Sequence, residues 1–303
     1  MALDRFEAMS ILLQAVEGGS LSAAGRRLGV PLATVSRKIS DLEAHLNTTL
    51  LMRSSKGLVP TPSGRSFLIA AKSILEQLHE AERAAAGEYT APTGDLVVTA
   101  PVVFGRLHVL PVVMDFMAAY PEVDVGLMLS DRLAHLLDDQ VDVAVRIGDL
   151  PDSALNANRV GFVRRVVCAS PTYLSKHGLP AAPHELADHM AISREGVSSP
   201  VVWRFQASGA QVAVTLRSRL SVNTVEAAID AAISGIGLTR PLSYQIVDHV
   251  REGVLEIALE AFEPPPRPVH LLYNGQSRVP LKLRAFVDFV APRIRNRLEQ
   301  AAL

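Results

Sequence analysis

Residues 20–46 have the sequence SLSAAGRRLGVPLATVSRKISDLEAHL, and this stretch decides the fold of the N-terminal region. Gly29 and Pro31 separate two short segments whose apolar residues recur at helical spacing. Ser20 is a suitable N-cap for the first helix, and Gly29 stands where a left-handed C-cap forms most easily. Two helices joined by such a tight turn are typical of a helix-turn-helix, whose second helix can enter the major groove of DNA.

The second helix of this pair has one apolar and one polar face. Its predicted buried stripe consists of Val35, Ile39, Leu42 and Leu46. Side chains on the opposite face are small, polar or basic, so the helix backbone can approach base edges and a guanidinium can reach guanine or phosphate. The predicted DNA-reading residues are Ala33, Thr34, Ser36, Arg37 and Ser40. The alternative is a pair of amphipathic helices whose charged face is merely solvated.

The flanking segments favour the DNA-binding interpretation. Upstream, a third amphipathic helix is predicted from the spacing of Leu3, Phe6, Met9, Leu13 and Val16. Downstream, residues 49–53 and 56–61 are predicted to form two short strands around a basic turn, which is a wing. Arg53 and Lys56 are placed there to contact phosphates or the minor groove. Residues 20–65 hold seven Lys or Arg and two Asp or Glu, so this segment carries +5 in a chain of net charge −1.

A long helix with one apolar stripe is predicted after the wing. Thr61 is a suitable N-cap, and Pro62 suits the first helical position. A heptad seam is formed by Phe67, Ala71, Ile74, Leu78, Ala81 and Ala85. About 25 residues make a rod of roughly 37 Å. We expect the stripe to pair with a second copy of the helix and form a dimer; packing on its own chain is the alternative.

These N-terminal features resemble the DNA-binding domain of the LysR-type transcriptional regulators. The resemblance rests on Ala23-Ala24 with Leu28, on residues 35–39 (VSRKI), and on Arg53 followed by residues 61–64 (TPSG). The length of 303 residues also fits, and the resemblance extends over the whole chain. It implies a regulator that pairs through its linker helix, assembles further into a homotetramer and contacts RNA polymerase on bent DNA. It also implies a two-lobed effector domain like a periplasmic binding protein.

After residue 90 the pattern changes to strands that alternate with helices. Lobe I begins with predicted strands at 96–99, 123–129 and 141–145 and predicted helices at 107–119 and 132–139. A second unit starts near Val163 and contains a helix at 225–234. Three prolines at 264–266 are interpreted as the point where the chain crosses back to lobe I, and helix 281–298 is then predicted to pack on that lobe. Such alternation predicts mostly parallel sheets in two lobes with a cleft between them.

The predicted fold class is α/β overall, with an N-terminal winged helix-turn-helix, a long linker helix and a two-lobed α/β effector domain. The predicted boundaries are 1–61 for the DNA-binding domain, 62–89 for the linker helix and 93–303 for the effector domain. Lobe I comprises residues 93–161 and 268–303, and lobe II comprises residues 162–267.

The candidate effector site is predicted from the topology. In open α/β sheets, ligands bind at the carboxyl ends of the strands, often at helix N-termini. In lobe I this rule selects Thr99, Ala100, Pro101, Phe104, Ser130, Asp131, Arg146, Ile147 and Gly148. In lobe II it selects Ser193, Arg194, Asn223, Thr224 and Arg240, with Thr239 as a weaker candidate.

The arginines in this set suggest an anionic small molecule as one hypothesis. Arg146, Arg194 and Arg240 could bind a carboxylate through paired hydrogen bonds. The alternative for each of them is an interlobe salt bridge. LysR-type sequences more often have apolar residues where Thr239 and Arg240 stand. Arg240 is therefore interpreted either as a pocket residue or as a solvent-facing variation.

The composition limits the class and location of the protein. A single cysteine, Cys168, rules out an intrachain disulfide, and it stands in an apolar run typical of a buried structural residue. No uninterrupted apolar run approaches the roughly 20 residues of a membrane span. Residues 4–7 do not resemble a secretory signal. We therefore expect a cytoplasmic protein without membrane contact.

Patterns for catalysis are weak or missing from the sequence. His184 and His189 are five positions apart rather than the four of a zinc-protease helix, so they do not share a helical face. The sequence has no glycine-rich phosphate loop, cysteine cluster or nucleophile elbow. We expect no cofactor, no metal and no catalytic residue.

The main functional hypothesis is a transcription regulator that binds promoter DNA under the control of a small-molecule effector. The first alternative is a small-molecule-binding protein or enzyme whose helix-turn-helix serves only assembly. That alternative does not predict salt-dependent DNA binding. The second alternative is a nucleoid-like architectural protein, which would bind DNA without sequence preference and would not need a large two-lobed domain.

Overall fold

The computed structural model describes residues 4–54, 57–85, 91–131, 141–150, 155–194, 201–207, 209–274 and 279–303. From the N-terminus, the chain forms a small winged helical domain, one long helix and a pair of α/β lobes. The second lobe is inserted into the first, because the last strand and the last helix of the chain return to the sheet of lobe I.

The N-terminal domain has three helices and a two-stranded wing. The helices are α1 (Arg5–Glu17), α2 (Leu21–Leu28) and α3 (Leu32–Leu46), and the strands are β1 (Leu51–Ser54) and β2 (Gly57–Pro60). The wing strands pair antiparallel. The Ser20 hydroxyl accepts a hydrogen bond from the Ala23 N–H at 3.2 Å, and Gly29 ends α2 at φ 65°. The predicted helix-turn-helix, its caps and the wing are confirmed.

The packing face of α1 differs from the sequence prediction. Its buried residues are Ala8, Ile11, Leu12 and Ala15. Phe6, which the prediction placed on the buried face, is 49% exposed. Leu46, predicted at the end of the α3 stripe, is also exposed. The prediction followed the largest side chains, whereas the helices approach each other closely through alanines, and this rotates the buried face of α1.

The long helix α4 (Pro62–Ala85) starts where the sequence predicted. The Thr61 hydroxyl accepts from the Gly64 N–H at 2.9 Å and donates to the Thr49 carbonyl at 2.7 Å. Gly64 lies directly against the wing, since a Cβ there would be 2.0 Å from the Leu50 carbonyl oxygen. The last four residues of the predicted linker, 86–89, lie outside the described residues.

Lobe I contains a five-stranded sheet in the order β4-β3-β5-β12-β6. Its strands are β3 (Gly94–Ala100), β4 (Val123–Leu129), β5 (Val143–Ile147), β6 (Leu155–Val163) and β12 (Arg267–Asn274). Strand β12 runs antiparallel to both of its neighbours, and the other four strands share one direction. The predicted mostly parallel sheet is therefore confirmed for lobe I. The helix predicted at 132–139 lies outside the described residues.

One face of this sheet is covered by helices from both ends of the effector domain. They are α5 (Val102–Phe104), a π-helical segment (Gly105–Val109), α6 (Leu110–Ala119) and α10 (Leu281–Gln300). The stretch Val102–Ala119 is long and apolar enough to cross a bilayer by length and composition alone. Val103, Phe104, Val112, Val113 and Phe116 are nevertheless buried against the sheet, which is the placement of a core helix.

Lobe II is built on two small sheets, and its helices are α7 (Pro171–His177), α8 (Val225–Ile233) and α9 (Val247–Arg251). Its strands are β7 (Val167–Ala169), β8 (Met190–Ser193), β9 (Val201–Ala207), β10 (Ala210–Ser221) and β11 (Glu256–Ala258). The sheets have the orders β8-β10-β9 and β11-β7. Among the described strands of lobe II, β8 and β10 pair in parallel and the other two pairs are antiparallel, so the mostly parallel prediction is wrong for lobe II. The β9–β10 hairpin was not predicted.

Candidate DNA-binding surface and effector cleft

The outer face of α3 is the candidate DNA-reading surface. Val35, Ile39 and Leu42 are buried and fix the helix on the domain core. Four of the five predicted DNA-reading residues are exposed, and Thr34 is half-buried; the exposed ones are Ala33, Ser36, Arg37 and Ser40. Leu32 in the first turn is 50% exposed and lies one turn before Ser36. Leu32 was not among the residues predicted from the sequence, although its apolar side chain suits a thymine methyl group.

Ion pairs within the domain determine which cations remain available to DNA. Lys38 is bound to Glu7 of α1. Arg27 lies 3.5 Å from Glu17. Arg37 makes no ion pair within the part of the chain that the structure describes. The positive charge on the outer face of α3 is therefore concentrated on Arg37.

The wing is fixed to α3 by one carboxylate. Glu43 accepts hydrogen bonds from the Leu50 N–H at 2.7 Å and the Leu51 N–H at 3.1 Å. The wing also reaches the turn before α2, where the Leu58 N–H donates to the Gly19 carbonyl at 3.2 Å. The reading helix and the wing therefore form one rigid surface. The side chain of Arg53 and the whole of Lys56 lie outside the described part of the structure.

The apolar stripe of α4 has two different environments. Ala71 is fully buried and Phe67 packs against the same core, beside α1. Ile74 is 40% exposed, Leu78 is half-buried, and Ala81 and Ala85 are exposed. The alternative interpretation, that the stripe packs on its own chain, therefore holds for its first two turns only.

The strand ends of lobe I place some of the predicted effector residues at the cleft and others in the core. The Asp131 carboxylate accepts from the Val102 N–H at 3.0 Å, and the Ser130 N–H donates to the Ala100 carbonyl at 2.9 Å. Ala100 and Phe104 are fully buried in a hydrophobic core that includes residues of both lobes. The strand-end rule placed their side chains at an open cleft, whereas the structure encloses them in apolar surroundings, and their contact with an effector stays a prediction. Thr99 is also almost completely buried. Pro101 and Ile147 are half-buried, whereas Gly148 is buried.

In lobe II most of the predicted residues lie at the ends of two neighbouring strands, β8 and β10. The Ser193 carbonyl, at the end of β8, accepts from the Val222 N–H at 2.9 Å. Asn223 and Thr224 follow and are exposed. The Thr224 hydroxyl caps α8 by accepting from the Ala227 N–H at 3.3 Å. The N-terminus of α8 and Arg194 are thereby brought to the same edge of the lobe.

Two of the three arginines predicted to bind an anion have other contacts. The Arg240 guanidinium donates to the Arg204 carbonyl and lies 4.7 Å from the centroid of the Phe205 ring. Burial and then the charge of Arg165 lower its pKa to about 10. Arg240 is half-buried in lobe II, so the solvent-facing interpretation is wrong. Arg146 donates to the Val145 carbonyl at 3.4 Å and lies opposite His270 in the sheet.

An aromatic cluster joins the two lobes behind the cleft. Tyr244 of lobe II lies 5.2 Å from the Phe104 ring and 5.4 Å from the His108 ring, in edge-on contact with both. His108 is buried in the π-helical segment, and neither ring nitrogen has a hydrogen-bond partner among the residues that the structure describes. Burial, followed by the charge of Arg297, lowers the pKa of His108 to about 4. The histidine is therefore neutral at neutral pH.

Two arginines outside the set predicted from the sequence lie on the segments that cross between the lobes. Arg165 stands between β6 and β7, and Arg267 begins β12. Burial lowers the pKa of Arg165, and the charges of Arg267 and Arg194 lower it further. The strand-end rule could not select them, since they follow no strand of the predicted parallel set. The sequence did offer one signal for them, because each predicted crossing between the lobes carries a basic residue.

The comparison with protein families identifies this arrangement. A family described as the LysR substrate binding domain matches residues 90–295, and the bacterial regulatory helix-turn-helix family of the lysR type matches residues 6–65. The chain belongs to the LysR family of bacterial transcriptional regulators. This LysR-type regulator therefore combines a DNA-binding helix-turn-helix domain with an effector-binding domain.

Similar proteins cover nearly the whole chain. A transcriptional repressor of Pseudomonas aeruginosa is 30% identical over 292 residues, which is 95% of this chain and 92% of the repressor. A transcriptional regulator of Xanthomonas campestris is 32% identical over 94% of this chain and 84% of its own length. The solved structure of CrgA, a LysR-type transcriptional regulator from Neisseria meningitidis, matches with a TM-score of 0.60 and 28% sequence identity, covering 95% of this chain and 98% of CrgA.

These relatives are transcriptional regulators and not enzymes. Among the described residues of this LysR-type regulator, no group of three His, Cys, Asp or Glu could hold a metal ion. Cys168 is buried, and burial raises its pKa to about 12, which keeps the thiol protonated and unreactive.

Proposed function

We propose that this LysR-type regulator reads promoter DNA with the outer face of α3. Ser36, Arg37 and Ser40 supply polar contacts to base edges, while Ala33 and Thr34 supply apolar ones. The exposure of this face and the concentration of its charge on Arg37 support the proposal. Arg53 and Lys56 of the wing are proposed to contact phosphates or the minor groove.

We propose a homodimer that pairs through α4. The stripe from Ile74 to Ala85 is the part of the helix that its own chain leaves exposed or half-exposed. Pairing would set two α3 helices on one face of DNA, about 34 Å apart or a multiple of that distance. Assembly of two dimers into a tetramer is proposed from the family resemblance alone.

We propose that the effector binds between the lobes and that it is an anion. The proposal is supported by the polar residues that follow strands in both lobes, Ser130 and Asp131 in lobe I and Arg194, Asn223 and Thr224 in lobe II. Besides burial, the charges of Asp131 and Arg194 both act on the pKa of Tyr244, which favours their being neighbours. The cationic residues on both crossing segments support an anionic ligand. A ligand screen tests this proposal: anions are expected to raise the melting temperature, and stabilisation by neutral or cationic compounds alone would contradict it.

Control of transcription would follow from the connection of lobe I to α4. A change in lobe position on effector binding would shift the winged domains, and with them the DNA bend and contact with RNA polymerase. No catalytic step is assigned to this protein, and its proposed location is the cytoplasm. The observation that carries the proposed function is the exposed outer face of α3, whose opposite face is buried in the domain core and whose Glu43 binds the wing.

The test is genome-wide recovery of DNA fragments bound by the purified full-length protein at physiological salt with excess nonspecific competitor. We expect enrichment of a few promoter sites with two-fold symmetric sequence. Arg37→Ala should weaken specific binding by about 1–3 kcal/mol, because it removes a base or phosphate contact. The control is Arg284→Ala, since Arg284 is an exposed arginine on α10. Uniform enrichment, or unchanged operator affinity of Arg37→Ala, would reject the assignment.

A further inference from the structure

Three guanidinium groups from different parts of the effector domain meet at the hinge between the lobes. Arg165 lies on the first crossing segment, where its backbone forms an antiparallel bridge with Leu242. Arg267 lies on the second crossing segment, and Arg194 directly follows β8 of lobe II. We call Arg165, Arg194 and Arg267 the hinge arginines. Arg267 is paired in the sheet with Val163, two residues before Arg165, which brings the two crossing segments side by side. Besides burial, the charges of Arg267 and Arg194 lower the pKa of Arg165, as expected for neighbouring cations.

Arg267 is held in place by a glycine at the carboxyl end of β5. A Cβ at Gly148 would lie 2.5 Å from an Nη atom of Arg267 and 3.1 Å from its Cζ. The guanidinium therefore lies against the backbone of Gly148, where no side chain fits. Gly148 also has φ 115°, a conformation that favours glycine. This contact places the cation at a strand end, which is where sheets of this type bind ligands.

The carboxylates of the neighbouring segment do not neutralise the hinge arginines. Glu260 and Glu263 lie 3.7 and 3.6 Å from the guanidinium of Arg164. Within the described ranges, Arg165, Arg194 and Arg267 make no ion pair. Arg165 and Arg267 are half-buried and Arg194 is exposed beside them. Like charges at such a site raise the free energy of the folded state unless an anion joins them. The preceding residue, Arg164, thus serves as an internal comparison, because among the described residues Arg164 has counter-charges and Arg165 has none.

We propose that the hinge arginines bind an oxyanion group carrying at least two negative charges, either a phosphate or a pair of carboxylates on one ligand. This rests on the proposed function, in which the effector binds between the lobes. Guanidinium groups bind such oxygens through paired, charge-assisted hydrogen bonds. Two of the three cations lie on the segments that connect the lobes. The bound anion therefore stabilises the lobe arrangement in which those segments bring their charges together, which couples ligand charge to lobe position.

The test uses the full-length protein with inorganic phosphate and with succinate, at an ionic strength held constant with sodium chloride. We expect a saturable rise in melting temperature with at least one of the two anions. Arg165→Gln and Arg267→Gln should each weaken that anion at least about tenfold, since each removes a charged hydrogen-bond donor. Arg284→Gln is the control and should leave the affinity unchanged.

A second readout separates a binding role from a structural one. Without anion, Arg165→Gln should melt at a higher temperature than the wild type, because the substitution relieves repulsion among the hinge arginines. A purely structural arginine would instead lower the melting temperature when removed. Stabilisation by phosphate alone would indicate a phosphorylated effector, and stabilisation by succinate alone a dicarboxylate.

The proposal is overturned if neither anion binds saturably, or if Arg165→Gln lowers the melting temperature without anion and leaves anion affinity unchanged. Failure of the proposed function would look different. If only the anion proposal fails, operator binding and its dependence on Arg37 remain intact. If only the DNA-binding proposal fails, the protein does not bind operators but still responds to phosphate or succinate.

Discussion

The ammonium nitrogen of Lys282 lies 2.7 Å from a carboxylate oxygen of Glu76, and this ion pair joins the effector domain to the linker helix. Lys282 belongs to α10, and the same nitrogen donates to the Asp95 carbonyl in β3 at 2.6 Å. The lysine side chain is only 6% exposed, so it is a buried charge with one compensating carboxylate. The pair connects α10, β3 and α4 at one point. Lobe I is therefore in direct contact with the helix that carries the winged domain.

We predict that Glu76→Leu destabilises the protein by about 2–4 kcal/mol, because it leaves the buried Lys282 ammonium without a counter-charge. The single substitution Lys282→Met should cost less, since Glu76 is partly exposed and can be hydrated. The double variant Lys282→Met/Glu76→Leu should recover most of the loss. Urea unfolding of the four proteins measures this cycle, and strictly additive effects would show that the two side chains do not interact.

The contact between α4 and the wing gives a second prediction. Gly64→Ala adds a Cβ that would lie 2.0 Å from the Leu50 carbonyl oxygen, so the linker helix must move relative to the wing. We expect a net loss of about 1–2 kcal/mol, although alanine favours helix by about 1 kcal/mol.

Gly126→Ala is the matched control for this substitution. A Cβ at Gly126 in β4 would meet nothing within 4 Å, and its backbone is not in the left-handed region. Thermal unfolding should show no loss, or a gain of about 0.5–1 kcal/mol. If both alanine variants were equally stable, the close approach of α4 to the wing would not exist in solution.

The sequence predicted the elements whose signals are local. Ser20, Gly29 and Thr61 define helix ends through their own side chains or backbone, so the helix-turn-helix and the start of α4 were found correctly. Thr224 at the start of α8 was found for the same reason. The buried face of α1 was misassigned, because small Ala8 and Ala15 give a weaker signal than exposed Phe6.

The parts that the sequence did not predict depend on tertiary placement. Strand β9 begins with alternating buried and exposed residues, but most of β10 is exposed and only Val214 and Leu216 are buried. No helix separates the two strands, so the pattern of alternating strands and helices did not predict this hairpin. Arg165 and Arg267 come together only because the chain crosses between the lobes twice, and no spacing in the sequence encodes that meeting. Arg240 was expected at the cleft, but the nearby Phe205 ring and Arg204 carbonyl engage it within lobe II.

A pH-dependent loss of stability is predicted from His108. Its pKa is about 4 in the folded protein and 6.5 in an unfolded chain, so the unfolded chain binds the proton first as the pH falls. The free energy of unfolding therefore falls progressively as the pH is lowered from 6.5 to 4. Well above pH 6.5 His108 is neutral in both states and causes no such loss. Between pH 7.5 and 5 we expect His108 to account for a loss of about 2 kcal/mol in the free energy of unfolding.

The variant His108→Phe should remove this part of the pH dependence, because a phenyl ring suits the contacts with Phe104 and Tyr244 and does not titrate. His189 and His270 also have lowered pKa values, so some dependence should remain in the variant. His184→Gln is the control, since that histidine is exposed. Urea unfolding at pH 7.5 and pH 5 gives the comparison, and identical pH slopes for wild type and His108→Phe would refute a neutral buried imidazole.

The exposed part of the α4 stripe predicts how the assembly can be broken. Ile74→Asp places a charge at a position that is 40% exposed in the single chain but would be enclosed by a partner helix. We expect the dimer to dissociate at least about tenfold more readily, because a carboxylate loses its hydration at such an interface. The folded monomer should be little affected, since its own contacts with α1 are made by Phe67, Leu68 and Ala71.

Light scattering coupled to size-exclusion chromatography, over a range of protein concentrations, measures this dissociation. Lys72→Asp is the matched control, because residue 72 lies about 200° around the helix from residue 74, on its opposite side. The control should keep the wild-type mass. Weakened binding of Ile74→Asp to a two-fold symmetric operator, with half-site binding retained, would complete the evidence. An unchanged mass for Ile74→Asp would mean that the chain associates through another surface and that the stripe beyond Ala71 is not the dimer contact.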